Sequence, residues 1–275
     1  MDSMTVVPAV YGPVRSWRFG QSLGIDLLGA VSTCSLQCRY CQLGTIEQYT
    51  CDRAELVPTS QVQTELAQHA GVHADVVTFS GSGEPTLASN LAAAIHLARA
   101  MIQCPTVVLT NGTLLGDRAV RQDLAAADIV AVKLDAVTAN RWRAMNQPTA
   151  GLHLEQVLAG IMTFREKFAG HFAIQTMVME PWSKLDEERY KAVIRALMPD
   201  EVQLNTPLRP RPLTRQVSAR GNHEVQPDQL WRQPRCVPPA VLTDLGVRLQ
   251  ADLEMPVRHR YQADDHTAPL SAEAS

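Results

Sequence analysis

The sequence predicts an α/β chain on a parallel sheet, an open barrel of six strand–helix units. Three observations predict it. Six short β-branched runs recur within residues 1–206. Each run is followed by a turn and then by an amphipathic stretch near the helical period. Repeated six times, that alternation calls for crossover helices on a parallel sheet. A closed eight-unit barrel needs more chain than the pattern leaves.

The elements follow in order. A turn-rich lead-in, Tyr11-Gly-Pro-Val-Arg-Ser-Trp-Arg18, precedes the first strand at residues 23–28. Runs at 76–79, 106–109, 129–134, 172–178 and 201–204 supply the other five. Residues 60–70 read as a helix, with Ser60 and Gln63 in capping-box spacing. Residues 91–102 place Leu91, Ala94, Ile95, Ala98 and Ile102 on one helical face, and 154–168 repeat the pattern from Leu154 to Phe168. A further helix covers 189–197. The core domain is therefore 1–206, and residues 207–275 form an irregular extension. Within it, 207–239 carry seven prolines and six arginines with no hydrophobic period, which predicts a lid over the barrel mouth. A last helix is predicted over 240–253 and a disordered tail from 262.

Composition excludes several classes. At 45% hydrophobic the chain is globular. With 25 basic and 28 acidic residues, net −3, it is no general polycation for nucleic acid or lipid. No apolar stretch approaches the ~18 residues of a membrane span. The first ten residues hold one acid and no basic side chain, unlike a signal peptide. Six cysteines are too few for a disulfide scaffold, which points to a reducing, cytoplasmic compartment.

Three of those cysteines crowd together in Cys34-Ser-Leu-Gln-Cys38-Arg-Tyr-Cys41. Thiolates that close repel one another unless something cationic holds them. Zinc wants four ligands, and Cys51 is available as the fourth. An iron–sulfur cluster held by three would leave one iron open for a substrate or cofactor. Polar residues then fall at the ends of successive strands, where barrel enzymes build their sites. They are Gly81, Ser82, Gly83 and Glu84 after the second, Thr110 and Asn111 after the third, and Lys133 and Asp135 after the fourth. Gln175 and Met177 lie on the fifth and Asn205 closes the sixth. Lys133 and Asp135 either share the lumen or form an internal ion pair, and Met177 reads as packing. Cys104 reads as buried packing, while Cys51 and Cys236 are either inert or reach the mouth.

The CxxxCxxC run with Tyr40 before its last cysteine, followed by Gly81–Pro85 after the next strand, resembles the radical S-adenosylmethionine (SAM) superfamily. Tyr11-Gly-Pro-Val, Ser22-Leu-Gly-Ile-Asp26, Cys41-Gln-Leu-Gly44, Ser82-Gly-Glu-Pro-Thr-Leu87 and Leu204-Asn-Thr-Pro207 resemble one branch, the compact Fe–S oxidoreductases related to wybutosine-forming tRNA enzymes. The resemblance spans residues 11–207. It implies an open partial TIM barrel, (β/α)6, with a [4Fe–4S] cluster on Cys34, Cys38 and Cys41. It also implies SAM in a groove lined by Tyr40, Gly81, Ser82, Gly83, Glu84, Thr110, Asn111, Lys133, Asp135, Gln175 and Asn205, with Glu84 meeting the methionine ammonium. The implied activity is reductive cleavage of SAM to a carbon-centred radical, with reduced flavodoxin or ferredoxin as electron donor.

The slightly acidic balance favours a small-molecule substrate. One alternative is transfer of the 3-amino-3-carboxypropyl group of SAM to trivalent arsenic, as in arsinothricin-type biosynthesis, with Cys51 and Cys236 as soft thiolates. tRNA base modification and a non-catalytic zinc or Fe–S binding module are the others. Arg209, Arg211, Arg215, Arg220, Arg232 and Arg235 either track phosphates, meet an acidic small molecule or partner protein, or lie solvated.

Overall fold

A computed structural model describes residues 7–215 and 230–262. Much of the predicted lid, with Arg220, and the tail beyond 262 lie outside the described residues. One sheet holds β1 (Val10–Ser16), β2 (Gly20–Ile25), β3 (Val76–Phe79), β4 (Thr106–Thr110), β5 (Ile129–Lys133), β6 (His171–Met177), β7 (Glu201–Asn205) and β8 (Val257–His259). Their spatial order is their order in sequence. β1 runs antiparallel to β2, and every later pair is parallel.

Parallel neighbours need crossovers. These are α1 (Thr59–Gln68), α2 (Leu91–Ile102), α3 (Arg118–Leu124), the pair α4 (Ala139–Asn146) and α5 (Leu154–Arg165), α6 (Lys184–Leu197) and α7 (Pro239–Leu253). Six strand–helix units therefore run from β2–α1 to β7–α7 in a curled, open partial barrel, and β1 and β8 extend its two edges.

Several elements differ from expectation, each for a physical reason. β1 carries Gly12 and Pro13, so it reads as a turn, and its register with β2 breaks between Tyr11 and Val14. The capping box at Ser60 and Gln63 does not form. Pro58 fixes the entry to α1, and no side chain caps it. A capping box does form at α6, where Ser183 and Asp186 satisfy each other's backbone and start the helix at Lys184, ahead of the predicted 189.

Strand alternation splits the core in two. Val77, Phe79, Val108, Val130, Val132, Phe172, Ile174, Val202 and Leu204 belong to the main core with the helices. Val76, Val107, Ile129, Ala131, Ala173 and Phe19 form the smaller cluster on the other face. On that inner face Lys133 and Asn205 close their strands and Gln175 stands beside Lys133 across the ladder, so polar side chains reach the carboxyl end of the lumen. No helix among the described residues is long and apolar enough to cross a membrane.

Candidate functional site

The loop after β2 carries the three cysteines and is stitched to itself. Thr33–Cys34 pairs with Gln48–Tyr49 in a short parallel ladder. Gln37 Oε1 accepts from Ile46 N at 2.7 Å, while its Nε2 donates to the Gly44 carbonyl at 3.0 Å. The loop docks on the end of α4, where Gln37 N and Arg39 N donate to the Asn146 and Met145 carbonyls, both at 3.0 Å. Its far end passes under residues 211–215, and a Cβ on Gly44 would lie 2.0 Å from the Thr214 carbonyl oxygen.

The glycine-edged turn after β3 is zipped to this loop by backbone. Thr33 N donates to the Ser82 carbonyl at 2.9 Å, and Glu84 N donates to the Thr33 carbonyl at 3.0 Å. That approach sets the glycines. A Cβ on Gly83 would sit 1.8 Å from the Thr33 oxygen, and one on Gly81 would sit 2.4 Å from Asp26 Cγ. Buried Asp26 holds the turn from below, accepting from Ser82 N at 3.0 Å. Glu84 is buried too. Its Oε1 accepts from Thr86 N (3.1 Å), Thr86 Oγ1 (2.7 Å) and Thr110 Oγ1 (2.6 Å), and its Oε2 from Asn111 N (2.6 Å). Burial nevertheless pushes the Glu84 carboxyl above its ordinary range. Asn111 Nδ2 donates to Ser35 Oγ at 3.0 Å and lies 3.6 Å from Cys34 Sγ.

A second group gathers at Cys38. Tyr40 donates its hydroxyl proton to Asp135, and Lys133 Nζ donates to the Tyr40 oxygen at 2.9 Å while lying 4.7 Å from the ring centre. Lys133 and Asp135 are therefore bridged through Tyr40. Asn146 Nδ2 lies 2.6 Å from Asp135 Oδ2 and 3.4 Å from Cys38 Sγ, and Met177 N donates to Asp135 Oδ1 at 2.9 Å. Gln175 neighbours Lys133 across the ladder, but its Nε2 is given to Gln203 Oε1 at 2.8 Å. Asn205 Oδ1 accepts from Arg260 Nη1 at 3.3 Å.

The parts played by Asp26 and Asn146 escape a reading of the sequence, and Arg215, read there only as one of six arginines of the extension, joins the glycine turn. Arg215 carries a nearly buried side chain, with Nε 3.2 Å from Glu47 Oε2 and Nη2 3.1 Å from Ser82 Oγ. Asp26 falls within a quoted motif but without an assigned role, and nothing local marks Asn146.

All three loop cysteines are half-buried free thiols. Burial pushes Cys34 up, with Glu84 adding to it; burial takes Cys38 up to about 12 and raises Cys41 as well. A bound cationic centre would reverse this and hold them as thiolates. Among the described residues no three Cys, His, Asp or Glu side chains converge on one point for a single ion. Cys51, the fourth thiol a zinc site would need, lies 3.2 Å from Thr149 Oγ1 instead. Thiols spread around a loop, two of them facing amide N–H donors, suit the corners of an iron–sulfur cluster better than one zinc ion. Cys104 packs half-buried against the core, and Cys236 is exposed beside Val237, whose N donates to Thr206 Oγ1 at 3.0 Å.

A curled parallel sheet whose carboxyl end carries clustered thiols and an acid-bearing glycine turn is the scaffold of a cofactor enzyme working at a barrel mouth. A model of the Radical SAM superfamily matches residues 30–192, and the chain belongs to that superfamily. It is 47% identical over 256 residues to the UPF0026 protein slr1464 of Synechocystis, covering 92% of this chain and 97% of that one. Its fold is similar to a radical SAM methyltransferase from Sphaerobacter thermophilus, with TM-score 0.57, 15% identity, and 90% and 68% of the two chains covered. It is also similar to Streptococcus suis SuiB bound to S-adenosylmethionine, with TM-score 0.58, 14% identity, and 84% and 48% covered. Enzymes of this superfamily use a [4Fe–4S] cluster and SAM and need a reducing electron donor.

Proposed function

We propose that Cys34, Cys38 and Cys41 hold the cluster, that SAM lies in the groove beside them, and that the enzyme cleaves SAM reductively to act on a small-molecule substrate. The observation that carries this reading is the backbone zipper between Thr33 and Ser82–Glu84, which joins the thiol loop to the acid-bearing turn as one unit. When bound, the cluster supplies the electron that breaks a carbon–sulfur bond of SAM. The chain's own residues bind and orient. Gly81, Ser82 and Gly83 present backbone to the methionine end, and Glu84 places a carboxylate near its ammonium. Thr110 and Asn111 fix that carboxylate from β4. Tyr40 offers an aromatic face steadied by Lys133 and Asp135, and Gln175 and Asn205 continue the wall along β6 and β7. Reduced flavodoxin or ferredoxin fits as the donor.

The test is anaerobic reconstitution of the full chain. A brown protein absorbing near ~400 nm, which releases 5′-deoxyadenosine from SAM on dithionite reduction, is the expected result. Changing any one of Cys34, Cys38 or Cys41 to Ala should abolish that release; full cleavage in a single variant would remove the proposal. Release of 5′-methylthioadenosine instead would assign aminocarboxypropyl transfer. Cys51→Ser and Cys236→Ser, assayed with arsenite, then ask whether either thiol delivers arsenic.

A further inference from the structure

The arginines at the barrel mouth are short of partners. Arg209 Nη1 donates to Gln42 Oε1 at 3.2 Å, Arg211 Nη2 to the Gly44 carbonyl at 3.4 Å, and Arg260 Nη1 to Asn205 Oδ1 at 3.3 Å. Each acceptor is neutral, whereas a guanidinium offers five donors and a full charge. Among the described residues no carboxylate comes within 4.0 Å of these three guanidiniums. Glu47, on the thiol loop, is engaged by Arg215. Arg211 Nε is buried with no hydrogen-bond partner among the described residues.

Like charges press on one another here. Burial, and then Arg260, hold Arg209 below the usual arginine range. The row has a definite address. Arg260 follows β8, Arg209 and Arg211 follow β7, and the latter two touch Gln42 and Gly44, just beyond Cys41.

We propose that the substrate carries an oxyanion, phosphate or carboxylate, bound by Arg209, Arg211 and Arg260 at the carboxyl ends of β7 and β8. The inference rests on the SAM-cleaving reading above and names the class of substrate for that site. An oxyanion would take up unused donors in the forked geometry that guanidinium offers, and would offset the repulsion between neighbouring cations. Its seat beside the thiol loop anchors the remainder of a small substrate near the reacting end of SAM.

The probes are inorganic pyrophosphate and succinate, titrated calorimetrically into the anaerobic, reconstituted holoenzyme with SAM present. We expect saturable binding of at least one of them. Pyrophosphate alone assigns a phosphate, succinate alone a carboxylate. Arg209→Gln, Arg211→Gln and Arg260→Gln should each weaken that binding about tenfold, the scale of one charge-assisted hydrogen bond. Arg260→Lys should lose less, and the cluster absorbance of every variant certifies its fold. Wild-type binding should also weaken as salt is raised, a measurement that needs no variant. No saturable binding of either probe, unchanged binding in all three Gln variants, or full displacement by SAM overturns the proposal. So does tight capture of bulk tRNA in about 0.2 M salt, which would give these cations to a nucleic-acid backbone. A wild-type enzyme that cleaves SAM yet binds neither probe sinks this inference alone; one that never cleaves SAM sinks the reading beneath it.

Discussion

Glu84 accepts four hydrogen bonds from Thr86, Thr110 and Asn111 while buried beside Cys34, so replacing it acts on folding as well as on the proposed contact with SAM. Glu84→Ala strands those donors at about 1–3 kcal/mol for each one left unsatisfied, and should lower the melting temperature of the apoprotein. Glu84→Gln keeps an acceptor and drops the charge. It should spare most of the melting temperature and raise the SAM dissociation constant roughly ten- to hundredfold. An unchanged constant in Glu84→Gln would leave Glu84 as a structural post only. Asn146 offers a second test, because its amide faces Cys38 Sγ. Hydrogen bonds to cluster sulfurs favour the more negative, reduced state. Asn146→Leu should therefore lower the cluster's midpoint potential, measured by redox titration followed by electron paramagnetic resonance; a potential that does not move would refute the contact's role. The clustering of the cysteines is legible from their spacing, and the turn around Glu84 stands out only through its resemblance to the radical SAM superfamily. Asn146 is not legible, since 108 positions separate it from Cys38 and no local pattern reports so distant a partner.

Among elements, strands are legible where β-branched residues run together, and the run at 76–79 matches β3 to the residue. Helices are legible where an apolar stripe lasts three turns, as in α2. α3 and α4 fall below that length. α3 is mostly charged or polar, and α4 buries only Trp142 and Asn146, so no period emerges. Yet α4 is the shelf on which the thiol loop rests, so the least legible helix carries part of the site. The cap of α6 gives a prediction at this scale. Ser183 Oγ accepts from Asp186 N at 3.2 Å, and Asp186 returns the bond to Ser183 N at the same distance. Ser183→Ala should cost about 1 kcal/mol, read as a lower urea midpoint with unchanged slope. Equal midpoints would mean that packing of Tyr190 and Ile194 alone holds this helix.

Over the whole molecule the sheet is electrically asymmetric, and its amino end is organised by aspartates. Asp75, Asp128 and Asp200 each stand one residue before a strand, and each accepts a backbone N–H from the preceding strand. The donors are Gln21 N, Thr106 N and Phe172 N, all at 2.7 Å. Sequence alone shows three acids before three strands; only the parallel register turns them into clamps between neighbours. At the opposite end sit the thiols and Arg209, Arg211 and Arg260, a strand's length away from these clamps. The clamps predict how the apoprotein responds to acid. Burial works against ionisation of Asp128, but the N–H and O–H of Thr106 and the Arg99 guanidinium outweigh it and hold the carboxyl below its ordinary range. Burial is likewise outweighed at Glu201, by His171, Arg258 and Gln203. A carboxyl whose folded pKa is depressed contributes stability that is complete above its unfolded value of about 4 and disappears as pH falls through the folded one. The apoprotein's melting temperature should thus be insensitive to these groups above about pH 5 and drop on further acidification. Asp128→Asn should melt lower than wild type at neutral pH, and the gap should narrow as pH falls toward 3 (an approximate end point) because wild type loses the same charge. A gap that stays constant across that range would show that Asp128 acts through shape and not through its charge.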